Sequence, residues 1–172
     1  MPRSTNDLSS GVWWSKVVRS GGKAGAGPVF LGEYEHTIDD KSRLTLPARF
    51  REAFMTGCIV TREMDGCLSV YTPDAWERFV ALRLDGLDPF TKEARQMRRF
   101  VFAGASEAVP DKQGRIMLPP PLVSHAKLSR EVVIAGVHDH VEIWDRASWR
   151  TQLDEVEGSA ELVAERLAEK RD

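Results

Sequence analysis

Two short turns with the same charged pattern are the part of this sequence most suited to binding chemistry. Each turn has an aspartate four residues before an arginine: Asp39 and Arg43 in the first, Asp111 and Arg115 in the second. Arginine presents a planar fork of N–H donors that fits phosphate oxygens and the edge of guanine. The aspartate is close enough to pair with that arginine and fix its orientation. A turn held by an ion pair with no ligand is the alternative, and the recurrence of the pattern argues against it.

Further cations lie beside these turns. Lys41 and Lys112 belong to the turns themselves, and Arg49 and Arg51 follow the first turn on a predicted helix. All four could contact phosphates, which position a protein on DNA without reading its sequence. For the two arginines, the alternative is a solvated helix face.

A separate group of cations belongs to a predicted basic helix between residues 91 and 101. Lys92, Arg95 and Arg99 share one face of that helix because they are spaced by three and four residues. The helix links the two halves of the chain and need not face DNA. Solvation or ion pairs between subunits therefore explains these cations better than DNA contact.

The sequence lacks the patterns of a metal site or an enzyme. Cys58 and Cys67 form no CxxC pair, and the four histidines are scattered. His138 and His140 are close in sequence but have no third ligand. There is no glycine-rich phosphate loop and no nucleophile elbow. We therefore expect no catalytic residue, no metal and no cofactor, and we expect both cysteines to be small apolar fillers of strands.

The composition is that of a globular protein. Of the 172 residues, 42% are hydrophobic and 29% are charged, which allows one domain or two small ones. The 24 lysines and arginines against 26 acidic residues give a net charge of −2. This excludes a protein that coats nucleic acid by bulk charge but permits a local basic surface. No apolar run could span a membrane and no apolar leader is present, so we expect a reducing, cytoplasmic location.

The two turns belong to an internal repeat with a shift of 72 residues. In each half, a strand, the turn, a short strand and a helix opened by proline follow one another, and two further strands complete the unit. Asp65-Gly66 marks the turn between the last two strands of the first half. A unit of about 45 residues rarely holds a core alone. The halves are therefore expected to pack on each other in an α+β fold.

Capping signals predict the helices. Pro47 predicts a helix over 48–55, and Thr72 caps a second helix that ends near residue 84. Asp145 caps the last helix, whose acidic tail carries an apolar stripe that Gly158 is expected to interrupt. Three tryptophans are expected in the core: Trp76, Trp144 and Trp149.

These features together resemble the MraZ family. The similarity spans roughly residues 29–149 and rests on four segments: Phe30–Tyr34, Asp39–Pro47, Asp111–Pro119 and Trp144–Trp149. It implies two SpoVT-AbrB-type units, at 33–75 and 105–148, which form a pseudo-symmetric β-barrel of swapped hairpins. Flanking helices are then expected at 76–104, as a link, and at 149–172, as an acidic C-terminal helix.

The resemblance also implies a function. It indicates a transcriptional regulator, associated with the nucleoid, that forms a ring-like homo-oligomer. Its expected partner is double-stranded DNA with direct repeats, in the promoter of its own division and cell-wall gene cluster. The family motif carries over to Asp39, Arg43, Asp111 and Arg115. The alternative is an oligomeric protein-interaction module without DNA contact, in which the turns build the oligomer.

Two departures from the family pattern affect the turns and helices. Ser42 stands where the family commonly has glycine, as the second turn does at Gly114. Because serine tolerates a left-handed backbone less well, the first turn is expected to differ slightly in shape. Pro120 and Pro121 are expected to shorten the helix of the second half.

Residues 1–28 stand apart from the rest. They hold five glycines and four cations against one aspartate, and they show no sustained period, so we expect a disordered extension. The resemblance starts at Val29, and GTG encodes valine and is also a bacterial start codon. The extension is therefore interpreted as upstream DNA read as protein through a mis-set start. A genuine basic arm that adds phosphate contacts is the alternative.

Overall fold

The computed structural model of the protein describes residues 27–170. Within this range the chain forms eight strands, five α-helices and a single 3-10 turn at Ala48–Phe50. The strands are β1 (Phe30–Thr37), β2 (Arg43–Thr45), β3 (Cys58–Arg62), β4 (Leu68–Tyr71), β5 (Ser106–Ala108), β6 (Arg115–Met117), β7 (Glu131–His138) and β8 (Val141–Asp145). The helices are α1 (Arg51–Phe54), α2 (Pro73–Arg83), α3 (Lys92–Phe102), α4 (Pro120–His125) and α5 (Arg146–Glu169).

The two halves of the chain exchange strands. Six strands form one antiparallel sheet in the order β1-β7-β8-β4-β3-β5, and β2 pairs with β6 in a separate two-stranded ribbon. The first strand of each half therefore pairs with the third strand of the other half, β1 with β7 and β5 with β3. This α+β architecture confirms the expected fold class. In residues 27–170 the large sheet is open, with β1 and β5 as its edges, so no closed hydrogen-bonded barrel is present.

Both contacts between equivalent strands have two-fold pseudo-symmetry. In the ribbon, Leu44 lies opposite Ile116, its counterpart in the repeat. In the large sheet, β4 pairs with its counterpart β8, with Leu68 opposite Ile143. The halves thus face each other as two subunits of a dimer do, although one chain carries both.

The main core fills the space between the ribbon and the large sheet. Leu44, Leu46, Ile116 and Leu118 from the ribbon region are all fully buried. They belong to the same apolar cluster as Phe54 and the inward side chains of the large sheet. A smaller cluster lies between the large sheet and the helices α2 and α3. Residues along β2 and β6 alternate between more and less buried positions, so one face of the ribbon packs against the main core.

The capping signals are confirmed. Thr72 accepts a hydrogen bond from the Ala75 N–H at the start of α2, and Asp145 accepts one from the Ala147 N–H at the start of α5. The helix predicted over 48–55 is instead a 3-10 turn followed by α1.

Two expectations about the C-terminal region are wrong. Gly158 does not interrupt α5, which continues to Glu169. A single glycine costs about 1 kcal/mol relative to alanine, which a helix of this length tolerates. Trp149 is not in the core. It is half-buried at the surface, and its ring centroid lies 5.6 Å from that of Trp144. Trp76 and Trp144 are buried as expected.

The predicted extension over 1–28 lies outside the described residues except for its last two positions. Across residues 27–170, no helix combines the length and apolar character needed to cross a membrane.

Candidate nucleic-acid interface

The two turns have matching backbones. In the first, the Ser42 N–H donates to the Asp39 carbonyl at 2.9 Å, and in the second the Gly114 N–H donates to the Asp111 carbonyl at 2.9 Å. Ser42 and Gly114 both adopt a positive φ, 56° and 74°. The difference in shape expected from Ser42 is therefore not found: the serine takes the conformation that glycine takes in the second turn.

The aspartates explain why serine is tolerated there. Asp39 Oδ1 accepts the N–H groups of Lys41 and Arg43, both at 2.9 Å. Asp111 Oδ1 accepts the equivalent N–H groups of Gln113 and Arg115 at the same distance. The carboxylate thereby determines the turn independently of the residue at the left-handed position. The N–H of the motif arginine, then its guanidinium and the other turn N–H, lower the pKa of each aspartate despite some desolvation.

The same carboxylates orient the arginines through the Nε–H group only. Asp39 Oδ2 accepts the Arg43 Nε–H at 2.6 Å, and Asp111 Oδ2 accepts the Arg115 Nε–H at 2.8 Å. The arginine side chains remain 30% and 27% exposed. Their terminal η nitrogens contact no acceptor within the described range of the chain. Each guanidinium is therefore fixed in orientation and still has the donors that bind phosphate or guanine in a bidentate way.

Both arginines lie on the outward face of the ribbon. Arg43 lies opposite Met117, and Arg115 lies opposite Thr45. Because Leu44 and Ile116 point inward, these four residues share the outer face. The arginines are diagonal neighbours, which places them about 7–8 Å apart. A two-stranded antiparallel ribbon is one of the elements that fits the DNA major groove.

Thr45 and Met117 were not predicted from the sequence as site residues. They complete the outer face between the arginines, and Met117 is 60% exposed. Their position follows from the alternation of inward and outward residues along each strand. That signal was present, but it needed the pairing of β2 with β6, which joins the two halves.

The carbonyls of the turns also join the halves. The Leu46 N–H donates to the Gly114 carbonyl, and the Leu118 N–H donates to the Ser42 carbonyl, each at 2.8 Å. Each turn is thus bonded to the segment that follows the other turn. The relative position of the two arginines is fixed by these bonds and by the ribbon itself.

The lysines of the turns are exposed but not equivalent. Lys41 occupies the position that Gln113 occupies in the second turn, whereas Lys112 corresponds to Asp40. Each turn therefore has one lysine, at a different corner. The symmetry of the Asp–Arg pairs does not extend to these flanking charges.

Arg49 and Arg51 have different environments. Arg49 is exposed, and its Nη1 donates to the Tyr34 hydroxyl at 2.8 Å. Arg51 is half-buried, and its Nε–H donates to the Leu46 carbonyl at 2.9 Å. A Cβ atom at Gly114 would lie 2.6 Å from Arg51 Cδ, so the two residues are packed closely. Arg51 thereby packs the first loop against the second turn, and the phosphate contact expected of it stays a prediction.

The histidines and cysteines have structural environments. No group of three metal-ligating side chains occurs in residues 27–170. The His140 ring stacks on Tyr71 at 4.8 Å and bonds Asp139 at 2.7 Å. Burial opposes protonation of His140, but hydrogen bonds to Glu142 and Asp139 outweigh it and raise its pKa. Both cysteines are buried and unpaired, as expected.

Burial also shifts the pKa of two groups outside the turns, Cys58 and His36. It raises the pKa of the Cys58 thiol to about 12, which keeps that thiol protonated. Burial, and then the charge of Arg51, lower the pKa of His36. His36 is therefore neutral at pH 7 and adds no charge to the outer surface.

A model of the family described as "MraZ protein, putative antitoxin-like" matches this chain twice, at residues 29–100 and 101–171. The two matches divide the chain into the same two halves as the internal repeat. Each match contains one Asp–Arg turn.

Several curated proteins are similar over most of this chain. "Transcriptional regulator MraZ" of Roseiflexus castenholzii is 44% identical over 143 residues, which cover 83% of this chain and 99% of that protein. The proteins of the same name from Moorella thermoacetica and Heliobacterium modesticaldum are 44% and 46% identical, over 82% and 81% of this chain and 98% and 96% of their own lengths. Their names describe regulators and not enzymes. With a family model that matches both halves and relatives at this identity, the chain belongs to the MraZ family.

Proposed function

We propose that this protein is a sequence-specific DNA-binding transcriptional regulator, with the β2–β6 ribbon as its reading element. One observation carries this proposal. Two arginines, each fixed at Nε by an aspartate, lie on the outward face of a two-stranded ribbon with their η nitrogens unengaged in the described chain. Fixed donors on such a ribbon suit the major groove, where arginine pairs with guanine. The relatives' name supports the same role.

The residues divide into readers and positioners. Arg43 and Arg115 contact base edges, and Asp39 and Asp111 hold them in orientation. The exposed cations near the turns contact phosphates and set the register on the duplex: Lys41, Lys112 and Arg49. Arg51 is held at Nε by the Leu46 carbonyl and packs against Gly114, and its η nitrogens add a further phosphate contact.

The target and the assembly follow from the family resemblance. The DNA would contain direct repeats in the promoter of the protein's own division and cell-wall gene cluster, and the protein would act in the cytoplasm, at the nucleoid. One ribbon offers few contacts and would bind weakly. A ring of copies, each built of two SpoVT-AbrB-type units, raises the effective concentration when the repeats match its spacing. The net charge of −2 does not oppose binding, because the acidic α5 can lie away from the DNA.

A gel shift with the DNA upstream of the protein's own gene tests this proposal. Phosphate contacts release counterions, so the logarithm of affinity should fall with the logarithm of salt by about 0.9 per contacted phosphate. A scrambled duplex of the same length is the control. Equal binding to both duplexes would reject sequence reading. No binding to either, at low salt, would favour a protein-interaction module without DNA contact.

A further inference from the structure

An apolar seam runs along α5, and beyond its first member it has no partner in residues 27–170. Its members recur at alternating spacings of three and four residues: Leu153, Val156, Ala160, Val163 and Leu167. This is the pattern of a helix that packs lengthwise on another helix. Val156, Val163 and Leu167 are 49%, 44% and 58% exposed. The first turns of α5 pack on β7 and β8, and the rest extends away from them.

An acidic stripe follows one edge of this seam. Asp154, Glu157, Glu161 and Glu165 are spaced by three or four residues, so they lie on one face of the helix. None of them forms an ion pair within the described part of the chain. Like charges at these spacings repel one another. The stripe and the seam together fit a partner that offers cations beside apolar side chains.

A second copy of α5 does not meet that requirement. If two α5 helices packed antiparallel along their seams, the acidic edge of one would lie against the acidic edge of the other. Between residues 153 and 169 the helix has six carboxylates and one arginine, so the repulsion would extend over its free length. A cationic partner surface avoids this repulsion and meets the requirement.

The outer face of α3 has the complementary properties. Lys92, Arg95 and Arg99 follow one another at spacings of three and four residues, and all three are exposed. In the described chain none of them contacts a carboxylate, and Arg95 only donates to backbone carbonyls before the helix. Large aromatic side chains are exposed just before and at the end of this helix, Phe90 at 89% and Phe102 at 37%.

We propose that α5 of one copy docks on the outer face of α3 of the next copy. The acidic stripe lies along the cationic stripe, and the apolar seam packs on the exposed aromatic rings. This proposal rests on the oligomer in the proposed function and names the interface that builds it. Because the two surfaces differ, the contact is head-to-tail. A contact of this type closes into a ring when the rotation between copies permits it.

The mass of charge-reversed variants, measured without DNA by sedimentation velocity, tests the interface. One variant is Glu157→Lys with Glu161→Lys, and the other is Arg95→Glu with Arg99→Glu. Each variant alone should fall from the oligomer to the 19.3 kDa monomer. An equimolar mixture, or one chain with all four changes, should recover the wild-type mass because the reversed stripes attract each other again.

The control is Glu155→Lys, a charge reversal on another face of α5, which should keep the wild-type mass. Wild-type mass in either stripe variant, or a mixture that does not reassemble, overturns the interface. So does a monomeric wild-type protein at micromolar concentration. An α3 variant that keeps its mass but loses DNA affinity assigns α3 to DNA instead. Since no DNA is present in the mass measurement, each of these failures is separate from a failure of base reading by the ribbon.

Discussion

Replacement of Arg43 and Arg115 by alanine tests the reading of DNA directly. In the proposed role, each arginine makes one bidentate contact to a base, which contributes about 1–3 kcal/mol, or roughly 5- to 150-fold in Kd. The turns match in their hydrogen bonds, so the two single variants should lose similar affinity, and the double variant should lose more than either. Folding should survive, because each Asp–Arg pair is partly exposed and contributes at most about 1 kcal/mol.

Fluorescence anisotropy with a labelled duplex of the protein's own upstream DNA, and with a scrambled duplex, measures these losses. The control variants are Arg43→Lys and Arg115→Lys, which keep the charge but lack the planar fork. They should keep the affinity for the scrambled duplex and lose the preference for the upstream sequence. Wild-type affinity in the double alanine variant would refute the reasoning. An equal loss on both duplexes would assign the arginines to phosphates.

Three further changes test the architecture around the site. Gly114→Ala should lower the free energy of unfolding by about 1–3 kcal/mol, because it strains a positive φ and places Cβ against Arg51. In urea unfolding, adding Arg51→Ala should remove the contact and recover only part of the lost free energy of unfolding, because the strained φ remains. Full recovery would show that the positive φ carries no strain. Leu44→Ala should cost about 2–5 kcal/mol at the fully buried centre of the ribbon, and a cost under about 1 kcal/mol would speak against that burial. The raised pKa of His140 contributes stability that is complete below pH 6.5 and is lost as the pH rises through the folded-state pKa. His140→Asn should therefore flatten the pH dependence of the melting temperature above pH 6.5, and an unchanged slope would exclude His140 as its cause.

Local features of the fold could be predicted from the sequence because their causes are local. A cap such as Thr72 or Asp145 acts on residues within a turn of itself, so its chemistry is visible in a few letters. The exchange of β1 and β5 between the halves could not be predicted from the residues alone. Pairing between strands about a hundred residues apart in the chain, as β1 and β7 are, depends on burial on both sides of the sheet. Only the family resemblance implied the exchange in advance.

The residues of the candidate site could likewise be predicted only where their signal is local in the sequence. Asp39, Arg43 and their counterparts stand out because a charged pattern that recurs is visible without a structure. The contacts of Arg51 could not be predicted, because its partner is a carbonyl and the glycine it packs against lies in the other half of the chain. A cation's role depends on such non-local contacts, and neither helix periodicity nor charge can reveal them.

The imperfect symmetry of the proposed reading face has a consequence for the sequence of the DNA site. A dimer of identical subunits is matched to palindromes, because protein and DNA must share the same two-fold axis. Here the two halves are covalently joined and have diverged. Arg51 is matched by Val123 in the other half, and the two lysines occupy different corners of their turns. A face with these differences is not two-fold symmetric, so it can recognise a non-palindromic sequence. Copies placed along DNA would then share one polarity, and the site would not need to be a palindrome because one chain carries both halves.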